Sequence, residues 1–419
     1  MTAFAYKNGE MCVENVPLSA IVKDVGSPVY VYSTSEMVSA YRSFSEAFTE
    51  HNAKICFAVK SNSNLAVIST FSKLGAGADV VSEGELERAL AAGISAKDIV
   101  YSGVGKTKEE INAGLKAGIY QFNVESLVEL KSLSDIAVSK NINAEVGIRI
   151  NPDVDAETHQ KISTGRKQDK FGINIDQASE AFALASSLPG INPISIAVHI
   201  GSQLTDVAPF KDAFTHVANL TKKLRSEGIP ISRLDLGGGL GVSYVGEKTP
   251  TPVDYASVVN STLGDLNCEL IFEPGRYLTA KAGILLTRII YIKDNTLKRF
   301  VIIDAAMNDL LRPALYNAPH AIQQVIEPEV LSELKNYDVV GPVCETGDTF
   351  LKDQPFGNLK PHELLAIRDT GAYGAVMSST YNSRPLVPEV LVNHEDYALI
   401  RPRETLEEQL QRDRLAPWQ

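Results

Sequence analysis

From Ile55 to Gly275, short β-branched runs alternate with stretches of helical periodicity, a pattern that predicts βα units around a parallel sheet. The runs are Ile55–Val59, Ala78–Val81, Ile99–Ser102, Tyr120–Val124, Ala144–Ile150, Ile194–Ile200, Arg233–Leu236 and Glu269–Phe272. Each is followed by turn-forming or polar residues and then by a helix-like segment, so the count predicts an α/β fold closed into a TIM-like (β/α)8 barrel. In Ser82–Ala92 the apolar residues Leu86, Ala89 and Leu90 share one face, and in Glu109–Ala117 Ile111 and Leu115 stand at i, i+4. Gly93 and Gly118 follow where helix-ending glycines are expected.

The gap between Ile150 and Ile194 is longer than the others, and its polar stretch Asp153–Lys170 reads as an inserted loop over the barrel mouth. After Tyr277 the alternation stops. Gly283–Ile292, Arg299–Ile303 and Tyr337–Val340 have the look of antiparallel strands, which predicts a second, β-rich domain of Greek-key-like barrel or sandwich type. The apolar run Val29–Tyr32 precedes the barrel and is expected to pair with that C-terminal sheet. The expected division is therefore 33–276 for the barrel and 1–32 plus 277–419 for the β-rich domain. The tail Glu404–Arg414 is charged and helix-prone.

A chain of 419 residues is long enough for such a pair of cores. No segment approaches the roughly 20 apolar residues of a membrane span. Met1–Val25 is interrupted by Lys7, Glu10, Glu14, Lys23 and Asp24, unlike a signal peptide, so a soluble, cytoplasmic protein is expected. The net charge of -11 disfavours nucleic-acid or anionic-membrane partners and suits a small-molecule enzyme. Cys12, Cys56, Cys268 and Cys344 show no C-x-x-C pairing, which argues against a zinc ribbon or a disulfide scaffold; no metal is expected, and all but Cys344 read as buried thiols.

In such a barrel the chemistry gathers where the strands end. The first run leads to Lys60, and a lysine in a partly desolvated site can serve as a nucleophile, although a lysine after a strand is usually a surface charge. The sixth leads to His199-Ile-Gly-Ser202-Gln203. The seventh ends in Gly237-Gly238-Gly-Leu-Gly241, whose backbone can approach a phosphate closely or can simply make a tight turn. It is not a dinucleotide fingerprint, because an early βαβ unit with an acidic ribose partner is missing. The eighth ends in Glu273-Pro274-Gly275-Arg276. A lysine for a Schiff base, a glycine-rich phosphate cradle and a carboxylate for a pyridine nitrogen are what pyridoxal phosphate requires of a protein.

With these motifs in order, followed by Gly341-Pro-Val-Cys344-Glu345, the chain resembles bacterial diaminopimelate decarboxylases of the alanine-racemase-like fold group over essentially its whole length. The resemblance implies that Lys60 carries pyridoxal 5'-phosphate as a Schiff base, that His199 stacks on its ring, and that Glu273 pairs with the ring nitrogen. It implies that Ser202, Gly237, Gly238, Pro274, Gly275, Arg276 and Tyr373 complete the cofactor site. Arg276, Arg312, Tyr316 and Tyr373 are implied for the substrate, with Glu345 at its distal ammonium and Cys344 as the proton donor to the α-carbon. Cys344 and Glu345 are implied to reach the active site of a partner subunit, which makes the expected assembly a homodimer. The implied reaction is decarboxylation of meso-2,6-diaminopimelate at its D-centre to L-lysine, the last step of lysine biosynthesis.

The chain departs slightly from the family pattern: Thr346 replaces the serine of the commoner Cys-Glu-Ser-Gly-Asp form, and Ser61-Asn-Ser-Asn64 follows the lysine where Ala-Asn is more usual. Three alternatives remain at this point. Racemases of this group place arginine against the pyridine nitrogen, where this chain has Glu273. Ornithine, arginine or carboxynorspermidine decarboxylases differ at the pair Arg312 and Glu345. A catalytically silent binding module would be expected to lose Lys60 or Cys344, and both are present.

Overall fold

The computed structural model describes residues 2–155, 160–162, 164–166, 168–328 and 333–419. The chain forms two compact units, one of residues 38–243 and 248–278 and the other of residues 1–37, 244–247 and 279–419.

The first unit is the barrel. Its strands are β1 (Ala53–Ala58), β2 (Gly77–Val80), β3 (Ile99–Tyr101), β4 (Gln121–Val124), β5 (Ala144–Asn151), β6 (Ile191–Ala197), β7 (Arg233–Asp235) and β8 (Glu269–Phe272). Each pairs in parallel with the next, and β8 closes on β1 with Leu270, Ile271 and Phe272 opposite Ala53, Lys54 and Ile55. A two-residue strand, Ile173–Asn174, lies outside β5 and extends the sheet there.

Local rules explain the helices between the strands. The helix Glu83–Ala91 starts where the Ser82 hydroxyl accepts from the Glu85 N–H, and Lys108–Ala117 starts at a reciprocal cap between Thr107 and Glu110. Gly118 ends the latter in the left-handed conformation. The helix Thr34–Glu46 sets Phe44 against Phe272 of β8, with Phe48, Tyr255, Phe210 and Phe214 completing a buried aromatic cluster. Burying each such ring contributes roughly 1.5–3 kcal/mol, and the cluster anchors the outer helices to the closing strand.

The barrel interior is partly polar, which the apolar reading of the runs did not anticipate. Residues two apart in a strand share a face. Gln121 and Asn123, and Arg233 and Asp235, therefore point inward as pairs. Arg233 is satisfied by Glu269 (2.8 Å), Glu145 (2.9 Å) and Gln121 (3.1 Å), with Tyr120 beneath its guanidinium. Gly147 makes room for this layer, since a Cβ there would lie 2.5 Å from Asn123 Oδ1.

In the second unit Val29–Ser33 is a central strand, antiparallel to Gly283–Asp294 and parallel to Glu389–Asn393. The N-terminal segment thus joins the C-terminal sheet, as its apolar run implied. That sheet continues through Arg299–Ile303, Lys335–Val340 and Thr349–Phe356. The expectation of purely antiparallel strands is corrected: Arg299–Ile303 pairs with Lys335–Val340 in parallel, because the long connection between them lets the chain return in the same direction. The tail forms a single helical segment, Leu406–Leu410, capped reciprocally by Thr405 and Glu408.

Candidate active site

Every barrel strand, or the turn directly after it, lines one cavity of about 340 Å³ at the end where the strands finish. Lys60, Ser102, Asn123, Arg149, His199, Asp235 and Glu273 line it, together with Val81, Thr164 and Phe171. Thr164 belongs to the expected insertion 153–170, of which residues 156–159, 163 and 167 lie outside the described residues.

Lys60 sits in a single 3-10 turn, Val59–Ser61, directly after β1. Its ammonium meets Asp79 Oδ2 at 2.6 Å, and Asp79 is fully buried in β2, its other oxygen lacking a hydrogen-bond partner among the described residues. Glu273 emerges at the end of β8, buried, and accepts from the Ser102 hydroxyl at 3.1 Å. Burial, reinforced by the negative charges of Asp235 and Asp79, raises the Glu273 carboxyl well above the usual range, with Lys60 opposing. Asp235 is raised to about 6, chiefly by burial, although the Asn123 amide and the Gly237 N–H both stabilise its charge. A hydrogen bond joins Asp235 to Glu273 and raises the latter further.

His199 follows β6. Its Nδ1 accepts from the Gly238 N–H at 3.2 Å, which places the ring hydrogen on Nε2. Burial first, then the cations Arg149 and Lys60, hold its pKa well below the ordinary value, so the ring is neutral. Arg149 in turn is paired with buried Glu125 at 2.8 Å and lies over the Phe171 ring.

The glycine turn after β7 has no room for side chains. A Cβ at Gly237 would stand 2.6 Å from Val198 O, and one at Gly238 would stand 2.4 Å from Glu273 O. Gly275 is similarly tight against Ser61 and Ala58. Ser202 Oγ accepts from Arg276 Nε (3.3 Å) and Nη2 (3.0 Å). The barrel thus gathers Lys60, His199, Ser202, Gly237, Gly238, Glu273, Pro274, Gly275 and Arg276 within one unit.

Arg312, Tyr316, Cys344, Glu345 and Tyr373 belong to the other unit. Cys344 is an exposed free thiol whose N–H donates to Asn382 Oδ1 at 3.0 Å, and Tyr381 donates to Glu345 Oε2 at 3.2 Å. The turn carrying them is fixed by buried Asp348, which accepts from the Val343 and Met307 N–H groups at 2.7 Å each. Arg312 is buried at the start of the short helix Arg312–Tyr316, and Tyr373 takes a left-handed backbone with φ 56°. Cys12 and Cys56 are buried as expected, whereas Cys268 is only partly so, because it lies beside the surface guanidinium of Arg225 at 3.0 Å.

Sequence reasoning passed over Asp79, Arg149 and Asp235. Their signal was available: a charged residue inside an otherwise apolar, β-branched run has to be paired or functional when the run is buried.

These residues suit pyridoxal phosphate, with an amine, a buried carboxyl and bare glycine backbone around a cavity in the size range of small-molecule sites. Residues 34–280 match the family model described as "Pyridoxal-dependent decarboxylase, pyridoxal binding domain", which places the barrel in that class of enzyme. Over its whole length the chain is 46% identical to a diaminopimelate decarboxylase of Pseudomonas aeruginosa, which it also covers completely. It is 47% identical to that of Vibrio cholerae, with 97% of each chain covered. The Helicobacter pylori diaminopimelate decarboxylase complexed with L-lysine superposes with a TM-score of 0.90 at 45% identity, covering 94% of this chain and 99% of that one. The M. jannaschii diaminopimelate decarboxylase in co-complex with L-lysine gives 0.94 at 37% identity, with complete coverage of both. The chain belongs to the diaminopimelate decarboxylase family of pyridoxal-phosphate-dependent carboxy-lyases. Among its described residues no helix is long and apolar enough to cross a membrane.

Proposed function

We propose that the chain decarboxylates meso-2,6-diaminopimelate at its D-centre, releasing L-lysine and CO2 as the last step of lysine biosynthesis in the cytoplasm. The observation that carries the reading is that Lys60 and Glu273 line one cavity beside a glycine turn too tight for any side chain. The names of the relatives and the lysine bound to two structural neighbours support the substrate.

Lys60 would hold the cofactor through its amine, and Ser202, Gly237, Gly238, Pro274, Gly275, Arg276 and Tyr373 would hold its phosphate end. When bound, pyridoxal phosphate supplies an electron sink for the pair left behind as CO2 departs. Glu273 would pair with the ring nitrogen, its carboxyl raised above the usual range by burial and by the charges of Asp235 and Asp79. Neutral His199 would stack on the ring without adding charge. Buried Asp79 pairs with the Lys60 ammonium and holds it at the cavity wall. Arg276, Arg312 and Tyr316 grip the substrate carboxylate that is retained, and Glu345 meets its distal ammonium. The Cys344 thiol gives its proton to the α-carbon, and the resulting thiolate regains one from solvent. Cys344 and Glu345 act in the site of a second copy, so the working form is a homodimer.

Turnover of a panel containing meso-diaminopimelate, ornithine and arginine tests the reading. Lysine should be the product of the first, and faster turnover of either other amino acid would overturn the substrate. Replacing Lys60 by Ala should abolish the cofactor's absorbance band that borohydride bleaches in the parent; a surviving band would assign the cofactor to another lysine.

A further inference from the structure

The buried guanidinium of Arg312 is held in an unusual way. Its Nη1 lies 2.8 Å from Nε2 of His320, and Nδ1 of His320 lies 2.7 Å from the Arg368 carbonyl oxygen. A carbonyl can only accept and a guanidinium can only donate. His320, which is 1% exposed, is therefore the neutral tautomer with its hydrogen on Nδ1 and its lone pair toward Arg312. The Tyr244 ring lies under the same guanidinium, 4.5 Å from Cζ, and meets the His320 ring edge-on at 5.2 Å. The backbone holds the imidazole in place: Arg368 N–H donates to Ala321 O at 2.8 Å, and Ile322–Gln324 pairs with Leu364–Ile367.

We propose that His320 and Tyr244 are positioning residues that aim Arg312 at the retained carboxylate of the substrate, and so set the preference for a diamino-diacid. The inference rests on the reading of Arg312 given above and extends it to two residues outside the family motifs quoted from the sequence. A carboxylate at position 320 would hold the guanidinium as firmly, but it would compete with the substrate for the same charge. A ring lone pair and a π face fix the direction of the N–H groups without contributing negative charge. An arginine fixed in advance loses less side-chain freedom when the carboxylate arrives, and the benefit appears in substrate affinity.

The test uses the full-length, cofactor-loaded enzyme and compares His320→Leu, His320→Gln and Arg312→Leu. His320→Leu should raise KM for diaminopimelate and the inhibition constant of L-lysine together by roughly tenfold, about 1.4 kcal/mol. Its kcat should stay within about twofold and its cofactor absorbance should not change. His320→Gln, which returns an acceptor near the Nε2 position, should recover most of the loss. A merely structural role would lower kcat or disturb the cofactor band along with KM, and either result, or an unchanged KM, would overturn the proposal. If His320→Leu does not fold, Tyr244→Leu carries the same test with a smaller expected rise of about threefold, and an unchanged KM there overturns it equally. If Arg312→Leu leaves KM and lysine inhibition untouched, the failure lies in the reading of Arg312 itself. If Arg312→Leu weakens both while the His320 variants behave as the parent, the present inference alone fails.

Discussion

Replacing Gly238 by Ala tests the proposed cradle at the point where geometry leaves it least choice. The added Cβ would stand 2.4 Å from Glu273 O and 3.2 Å from its carbonyl carbon, atoms of backbone that cannot rotate away. Ordinary contact requires about 3.4 Å or more, so β7 and β8 would have to part by about 1 Å at their ends. That opening would break the bonds from Glu273 N–H to Gly237 O (2.7 Å) and from Leu236 N–H to Ile271 O (2.9 Å). Each is worth about 1 kcal/mol, and the overpacking itself costs about 1–3 kcal/mol, which gives a loss of about 3–5 kcal/mol. The 3.2 Å bond from Gly238 N–H to His199 Nδ1 would go as well, releasing the tautomer of His199. Equilibrium unfolding in urea followed by circular dichroism measures the loss, and absorbance titration measures cofactor binding, expected to weaken at least tenfold, about 1.4 kcal/mol. Gly264→Ala is the matched control, since that residue has helical φ and ψ and nothing within 4 Å of the new Cβ; it should be neutral or stabilising by about 0.4–1 kcal/mol. A Gly238→Ala protein with the stability of the control and parental cofactor affinity would refute the reasoning.

Glu125→Ala should be strongly destabilising, by about 3–5 kcal/mol, because it strands the buried Arg149 charge and the Gly172 N–H, each held by Glu125 at 2.8 Å. Glu125→Gln should lose less, and equal unfolding midpoints for the parent and Glu125→Ala would contradict this account. Asp309 is raised by burial from 3.8 to about 7, against the opposing Ala306 N–H and Arg384. Its folded form therefore binds a proton more tightly than the unfolded chain, so it costs stability as pH rises from about 4 to 7 and costs no more beyond. The cost reaches about 4 kcal/mol above pH 7. Asp309→Asn should gain on the parent across that interval in urea unfolding at a series of pH values; a difference independent of pH would exclude the mechanism.

The alternation of β-branched runs and amphipathic stretches was enough to read the barrel, because inward and outward faces repeat every two residues in strands and every 3.6 in helices. All eight strand positions were legible, with ends displaced by up to a few residues where turns such as Val59–Ser61 begin. Lys60, His199 and Glu273 were legible because each closes a run. Asp79, Arg149 and Asp235 were not, because a residue inside a run reads as part of the strand until its neighbours across the sheet are known.

The sequence by itself determined where strands and helices form, which glycines stand in turns, and which reactive side chains finish the strands, since all of these follow from local patterning. Only the tertiary structure decided which of those side chains meet. Closure of β8 onto β1 sets Glu273 and Lys60 in one cavity although 213 positions separate them in the chain. The burial that follows raises Glu273 and depresses His199, and no local pattern encodes it. The same holds for His320: its tautomer is fixed by Arg312 and Arg368, brought to its two nitrogens by sheet pairing rather than by proximity along the chain.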